Sequence, residues 1–235
     1  MIEVRDLSVD YAGVVALDGV SLVARDGIIT TLVGANGAGK SSLLKAISGL
    51  VPAGGGEITL DGASLRGMAP EDIVRKGICH VPESRRLFPY MSVLDNLLTG
   101  AHLRQDAAGI RDDLDKVFDY FPVLKDHRHR IARNFSGGQQ QMIAIGRGIM
   151  SRPRFYMFDE PSIGLAPLIV RDVLNTISRI ATEEKRGVLL VEQNANLALE
   201  IASEAYIMEL GKITLSGPAK ALKNDERVRR AYLGL

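Results

Sequence analysis

A run of glycines followed by a lysine and a serine, Gly34-Ala35-Asn36-Gly37-Ala38-Gly39-Lys40-Ser41, satisfies the pattern Gly-x-x-x-x-Gly-Lys-Ser. These residue types at this spacing hold phosphate. Glycines let the backbone curl so that successive N–H groups point into one concavity. A helix beginning at the end of the curl adds unpaired N–H groups and the positive end of its dipole. Lys40 supplies a cation for β- and γ-phosphates, and the Ser41 hydroxyl, with Ser42 beside it, reaches Mg²⁺. Farther along, Phe155-Tyr156-Met157-Phe158 runs into two carboxylates, Asp159 and Glu160. At the carboxyl edge of a parallel sheet, Asp159 would hold Mg²⁺ directly or through water. Glu160 would orient or deprotonate an attacking water.

A second anion site is suggested by Ser136-Gly137-Gly138-Gln139, which opens a helical pattern. Ser136 and Gln139 form a capping box, a structural role that already accounts for both. Two glycines in the first turn, each costing about 1 kcal/mol relative to alanine, are not explained by a cap. Bare backbone at a helix start lets a phosphate approach closely.

The elements that must position these groups follow from periodicity. Residues 2–9 alternate and residues 28–33 form a β-branched run, both read as strands; the second enters the glycine loop. A helix is predicted over residues 42–50, closed by Gly49, and Asp61-Gly62 after residues 57–60 predicts a hairpin. Pro70 opens a helix that Gly77 stops, and residues 78–81 form a short strand. Residues 92–103, 110–121 and 137–150 read as helices with few strand signals between them, so about 82–152 is a helical insertion or subdomain. Strands then alternate with helices: 155–158, 167–184, 187–191 and 196–202. A hairpin follows around Gly211, and the tail from 218 to 235 reads as a short charged helix whose Arg227, Arg229 and Arg230 form a solvated face. This alternation implies a largely parallel sheet with helices on both faces.

Composition removes other classes. Hydrophobic residues are 46% and charged residues 24%, ordinary for a globular chain. Lys+Arg 29 against Asp+Glu 28 gives a formal charge of +1 and no field for nucleic acid. The single Cys79 excludes a disulfide framework and a cysteine-rich zinc site. No stretch nears the roughly 20 apolar residues of a membrane span, and no secretory signal is visible. The chain is therefore expected to stay in a reducing, aqueous compartment. No Asn-Lys-x-Asp motif supports a GTPase, and a monomeric P-loop kinase gives no reason for residues 136–139.

A P-loop, then Phe135-Ser136-Gly137-Gly138-Gln139, then an apolar strand ending Asp159-Glu160 closely resembles the ATP-binding subunit of ABC transporters, over essentially the whole chain. The resemblance implies an α/β P-loop NTPase with a mostly parallel core sheet, an N-terminal antiparallel β region and a helical subdomain. It would be one ABC ATPase domain, with residues 1–81 and 153–235 as the core. Residues 82–152, approximately, would be the subdomain that carries Ser136–Gln139 and docks on membrane-spanning partners. The resemblance also implies head-to-tail pairing, each ATP lying between one P-loop and the other subunit's Ser-Gly-Gly-Gln. Tyr11 falls where the family stacks adenine, and residues 162–166 form the loop crossing the dimer interface. Phe88, Tyr90 and Met91 are candidates for the permease-docking surface.

Two departures from the family pattern matter. Glu83 stands where a glutamine usually meets Mg²⁺ and the γ-phosphate region; its carboxylate can still ligate the metal while adding negative charge. Gln193 stands where a histidine is usual; it can hydrogen-bond a γ-phosphate but cannot carry a positive charge, which places more of the chemistry on Glu160. Both departures, with residues 81–88, 135–147, 161–167, 190–196 and the ending 231–235, resemble the importer subgroup for branched-chain and other hydrophobic amino acids. In that subgroup two different ATPase subunits serve a pair of permeases fed by a periplasmic binding protein. The expected place of work is the cytoplasmic face of a bacterial inner membrane. An importer of urea or short amides, or an exporter ATPase, is the alternative. Non-transport relatives in DNA repair or ribosome rescue carry paired cassettes or coiled-coil inserts for which 235 residues leave no room.

Overall fold

The structure, a computed structural model, describes residues 1–232. The chain runs β1 (Ile2–Tyr11), β2 (Val14–Ala24), β3 (Ile29–Val33), α1 (Lys40–Ile47), β4 (Gly55–Leu60), β5 (Ala63–Ser64), α2 (Pro70–Arg75) and β6 (Ile78–Val81). Four helices follow without a strand: α3 (Val93–Thr99), α4 (Ala107–Tyr120), α5 (Pro122–Asp126) and α6 (Gly137–Met150). Alternation then resumes with β7 (Phe155–Asp159), α7 (Pro167–Thr182), β8 (Gly187–Glu192), α8 (Ala195–Ile201), β9 (Glu204–Glu209), β10 (Lys212–Pro218), α9 (Ala219–Asn224) and α10 (Glu226–Tyr232).

The strands form two sheets, ordered β2-β1-β4-β5 and β10-β9-β3-β8-β7-β6. Pairing in the first is antiparallel throughout. In the second, β9, β3, β8, β7 and β6 pair in parallel, and only the edge hairpin β9–β10 is antiparallel. Strand β7 explains why its sequence is apolar at every position. Phe155 and Met157 pack with α1 and the antiparallel sheet, while Tyr156 and Phe158 pack with α3, α4, α6 and α7. A strand covered on both faces has no polar face to alternate with. The helices of residues 82–152 thus share one core with the sheet.

The structure departs from the periodicity reading at particular residues. Strand β2 has no counterpart in that reading, because Asp18-Gly19 punctuates it. Gly19 has a φ of 66° and the register shifts there, so the pair is a bulge inside one strand rather than a turn. Helix α3 ends at Thr99, capped by Gly100, instead of reaching 103. Its neighbour explains the glycine: a Cβ at 100 would lie 2.0 Å from the carbonyl oxygen of Arg147. Helix α1 starts at Lys40 and stops at Ile47, earlier at both ends than the pattern suggested. The tail is two helices broken at Asp225, with Arg227 and Arg230 exposed and paired to Asp225 and Glu226. The last part of that tail, residues 233–235, lies outside the described residues. Among the described residues, no helix is long and apolar enough to cross a membrane.

Candidate functional site

Strand β3 delivers the chain into the curl, and the curl is forced by packing as well as by conformation. A Cβ on Gly34 would sit 2.4 Å from the Met208 carbonyl oxygen on β9. Gly39 is the N-cap of α1 at a φ of 107°, and no side chain caps the helix. Its first-turn N–H groups are therefore left for a ligand.

Lys40 folds back into the curl. Its Nζ donates to the carbonyls of Gly34 at 2.8 Å and Ala35 at 3.0 Å, and lies 3.0 Å from Glu160 Oε1. Lys40 is 3% exposed and Glu160 6%, so this is a buried ion pair whose members need each other. Glu160 reaches Lys40 because the chain turns left-handed at once after β7: its φ is 45° and its N–H donates to the Val191 carbonyl at 2.9 Å. One residue earlier, Asp159 Oδ1 accepts from Ser41 Oγ at 3.1 Å. Burial pushes the Asp159 carboxyl up, and the charges of Glu160 and Glu83 add to this while the Ser41 hydrogen bond opposes it.

Asn36, Gly37, Gly39, Lys40, Ser41, Ser42, Glu83 and Glu160 line one cavity of about 380 Å³, with Ala16 and Ile163 completing the wall. Ala35 is exposed and Ala38 buried on the same loop. The donor set of Ser41, Asp159 and Glu83 is hydroxyl and carboxylate, the hard oxygen chemistry of Mg²⁺. Among the described residues, no group of three or more His, Cys, Asp or Glu could hold a metal alone.

A neighbouring cavity of about 490 Å³ joins Glu160 to Gln193, Glu192, Ser162, Asn194 and Tyr232. Gln193 is exposed and follows directly after β8. Glu192 carries no site expectation from the sequence, yet it is 1% exposed and accepts from the Ser162 N–H at 3.1 Å. Burial pushes its carboxyl up. Its place at a strand end beside Gln193 was the available signal, masked because a terminal glutamate on an apolar strand reads as a solvated one.

Two expected groups lie apart from the first cavity. Tyr11 ends β1 with 41% of its surface exposed and is not among the cavity's walls. Ser136 to Gln139 line neither cavity. The capping box at α6 is formed: Ser136 Oγ accepts the Gln139 N–H at 3.3 Å, and Gln139 Oε1 accepts the Ser136 N–H at 3.1 Å. Ser136 and Gly137 are exposed. Gly138 is buried, and a Cβ there would meet Ile169 Cγ2 at 2.6 Å, so one of the two glycines has a packing reason of its own.

Comparison with known proteins identifies the family. Residues 17–163 match the ABC transporter family. The chain is 42% identical, over the whole of both chains, to the high-affinity branched-chain amino acid transport ATP-binding protein BraG of Pseudomonas aeruginosa. It is 30% identical to the lipopolysaccharide export system ATP-binding protein LptB of Escherichia coli, over 98% of this chain and 95% of LptB. Among solved structures, the ADP conformation of MJ1267, an ATP-binding cassette of an ABC transporter, superposes with a TM-score of 0.86 at 25% identity, covering 100% of this chain and 99% of the other.

Proposed function

The chain belongs to the ABC transporter family, and from that premise we propose that it is the ATP-hydrolysing subunit of an importer for branched-chain or other hydrophobic amino acids. It would work at the cytoplasmic face of a bacterial inner membrane, on permease subunits fed by a periplasmic binding protein. The observation that carries the hydrolytic reading is the meeting of Lys40, Glu160 and Ser41 at one cavity, with the Ser41 hydroxyl donating to Asp159. Identity to BraG over its full length supports the substrate class.

ATP would lie with its β- and γ-phosphates on the N–H groups of residues 36–42. Entering phosphate competes with Glu160 for Lys40, and each oxygen that Lys40 takes loosens the ion pair. Glu160 is then freed to accept a proton from water aligned on the γ-phosphate, with Gln193 donating its amide N–H groups nearby. Ser41, Asp159 and Glu83 would hold Mg²⁺, which would supply positive charge against the developing charge on the phosphates. A second ATPase subunit, identical or different, would supply its own Ser-Gly-Gly-Gln across the interface, while Ser136–Gln139 of this chain serve the partner's ATP. Tyr11 would stack on adenine from its exposed position. Residues 82–152 would act as the helical subdomain, with Phe88 and Tyr90, 50% and 73% exposed, toward the permease.

Glu160→Gln tests this. The amide still accepts from Lys40, so the fold and ATP binding are expected to survive while hydrolysis slows about 10²–10⁴-fold. An ATP-dependent dimer of that variant means one chain can supply both halves of each site; an ATP-bound monomer means a different ATPase chain is its mate. Near-parental turnover removes Glu160 from the role, and loss of ATP binding with the fold intact sinks the reading. The match to LptB keeps an exporter as the second reading. Co-purification with permeases, followed by leucine uptake in reconstituted vesicles, separates the two.

A further inference from the structure

Between β6 and α3 the backbone does something costly. Arg85 and Arg86 are consecutive non-glycine residues with φ of 59° and 46°. Left-handed backbone at side chains of this size persists only where the surroundings over-determine it. Two backbone bonds close the turn locally, from the Arg85 N–H to the Pro82 carbonyl and from the Arg86 N–H to the Ser84 carbonyl. One guanidinium holds it from another element: Arg147 donates through Nη1 to the Arg86 carbonyl and through Nη2 to the Arg85 carbonyl, both at 2.7 Å. A planar fork can serve two successive carbonyls at once, which an ammonium cannot do in one fixed geometry. Arg85 Nε adds a bond to Gln141 Oε1 at 3.3 Å.

Both holders stand on α6, the helix that begins at Ser136. The held segment begins beside Glu83, on the wall of the P-loop cavity. At its other end Phe88 is pinned by Asn96, which is fully buried: the Phe88 N–H donates to Oδ1 at 2.9 Å and its carbonyl accepts from Nδ2 at 3.0 Å. The segment is thus fixed at the α3 end and strained in the middle, and the α6 side chains hold the strain.

We propose that Arg147 is a positioning residue that couples the two candidate phosphate sites: it locks the Glu83 segment in its left-handed turn and ties that segment's position to α6. Release of the fork lets residues 85 and 86 fall back to right-handed backbone, which moves Glu83 without disturbing the P-loop. The coupling rests on the reading of Glu83 and Ser136 under Proposed function; the lock itself does not.

The test uses the full chain carrying Arg147→Lys, with Arg147→Gln as second variant, beside Glu160→Gln. Trypsin cleavage after Arg85 and Arg86 reports the lock directly, because a hydrogen-bonded left-handed turn cannot extend into a protease. Cleavage there is expected to rise at least fivefold in Arg147→Lys at unchanged melting temperature. Its kcat for ATP hydrolysis is expected to fall about tenfold, the loss for one charged hydrogen bond, while KM and nucleotide affinity stay within about twofold. Parental cleavage in either folded variant overturns the lock. Faster cleavage with parental kcat overturns the coupling, and so does a loss of affinity that matches the loss of kcat. Should Glu160→Gln hydrolyse ATP normally, the reading of the nucleotide site fails, and the cleavage rates still decide the lock.

Discussion

Helices α1 and α6 both begin at glycine-rich motifs, and they satisfy their first turns in opposite ways. α1 has a glycine at its N-cap and no side chain closing it, with Lys40 buried in the curl against Glu160. α6 has a reciprocal capping box at its exposed Ser136 and Gly137, and the cation beside it comes from another loop: the Arg85 guanidinium nitrogens lie 3.4 Å from where a Cβ on Gly137 would be. The first is a candidate phosphate site whose cation stands in the motif itself. The second is complete as a helix start, and its cation stands on the loop before α3 rather than in the motif. A motif of two glycines and a serine therefore does not say in sequence whether its cation stands inside the motif or on a distant loop.

Lys40→Met breaks the comparison hardest. It strips a buried carboxylate of its counterion, which costs about 3–5 kcal/mol of stability. It also removes the cation for phosphate, so ATP affinity is expected to fall at least tenfold. Adding Glu160→Gln separates the two effects. The double variant is expected to regain most of the melting temperature while still failing to bind ATP in nucleotide titrations. If stability does not return, the ion pair at 3.0 Å is not what holds the curl.

Much of this site was legible because its parts are local. Gly34 to Ser41 sit on consecutive positions, and Asp159-Glu160 close an apolar strand that can only be covered on both faces. What could not be read was distance across the sheet. Nothing near Gly34 in sequence announces the Met208 carbonyl that excludes a side chain there. Nothing near Arg147 announces the two carbonyls it holds 61 and 62 residues away. Strand β2 was hidden for a local reason instead, since an Asp-Gly pair signals a hairpin and a bulge equally well.

The glycines sharpen the contrast at a smaller scale. An alanine at 138 meets the Ile169 side chain at 2.6 Å, which can turn aside, so about 1–3 kcal/mol of destabilisation is expected. An alanine at 34 meets the Met208 backbone at 2.4 Å, on a strand held in the sheet. Gly34→Ala is thus expected to unfold at lower urea than Gly138→Ala. Equal midpoints would mean that the P-loop backbone yields as easily as a side chain does.

Ser136 gives the smallest effect on stability and the cleanest separation of its two roles. Ser136→Ala removes the cap and should cost about 1 kcal/mol, measured by chemical denaturation. That loss is uninformative about a ligand, because the cap alone explains it. Ser136→Asp keeps the cap, since aspartate accepts the same N–H and suits the helix dipole. It also places a negative charge at the exposed helix start, where a partner's γ-phosphate would have to sit. In the Glu160→Gln background the aspartate variant is therefore expected to melt with the parent and bind ATP as a monomer, while losing ATP-dependent association with its mating subunit. Undiminished association would leave Ser136 a helix cap and return the second anion site to the partner search.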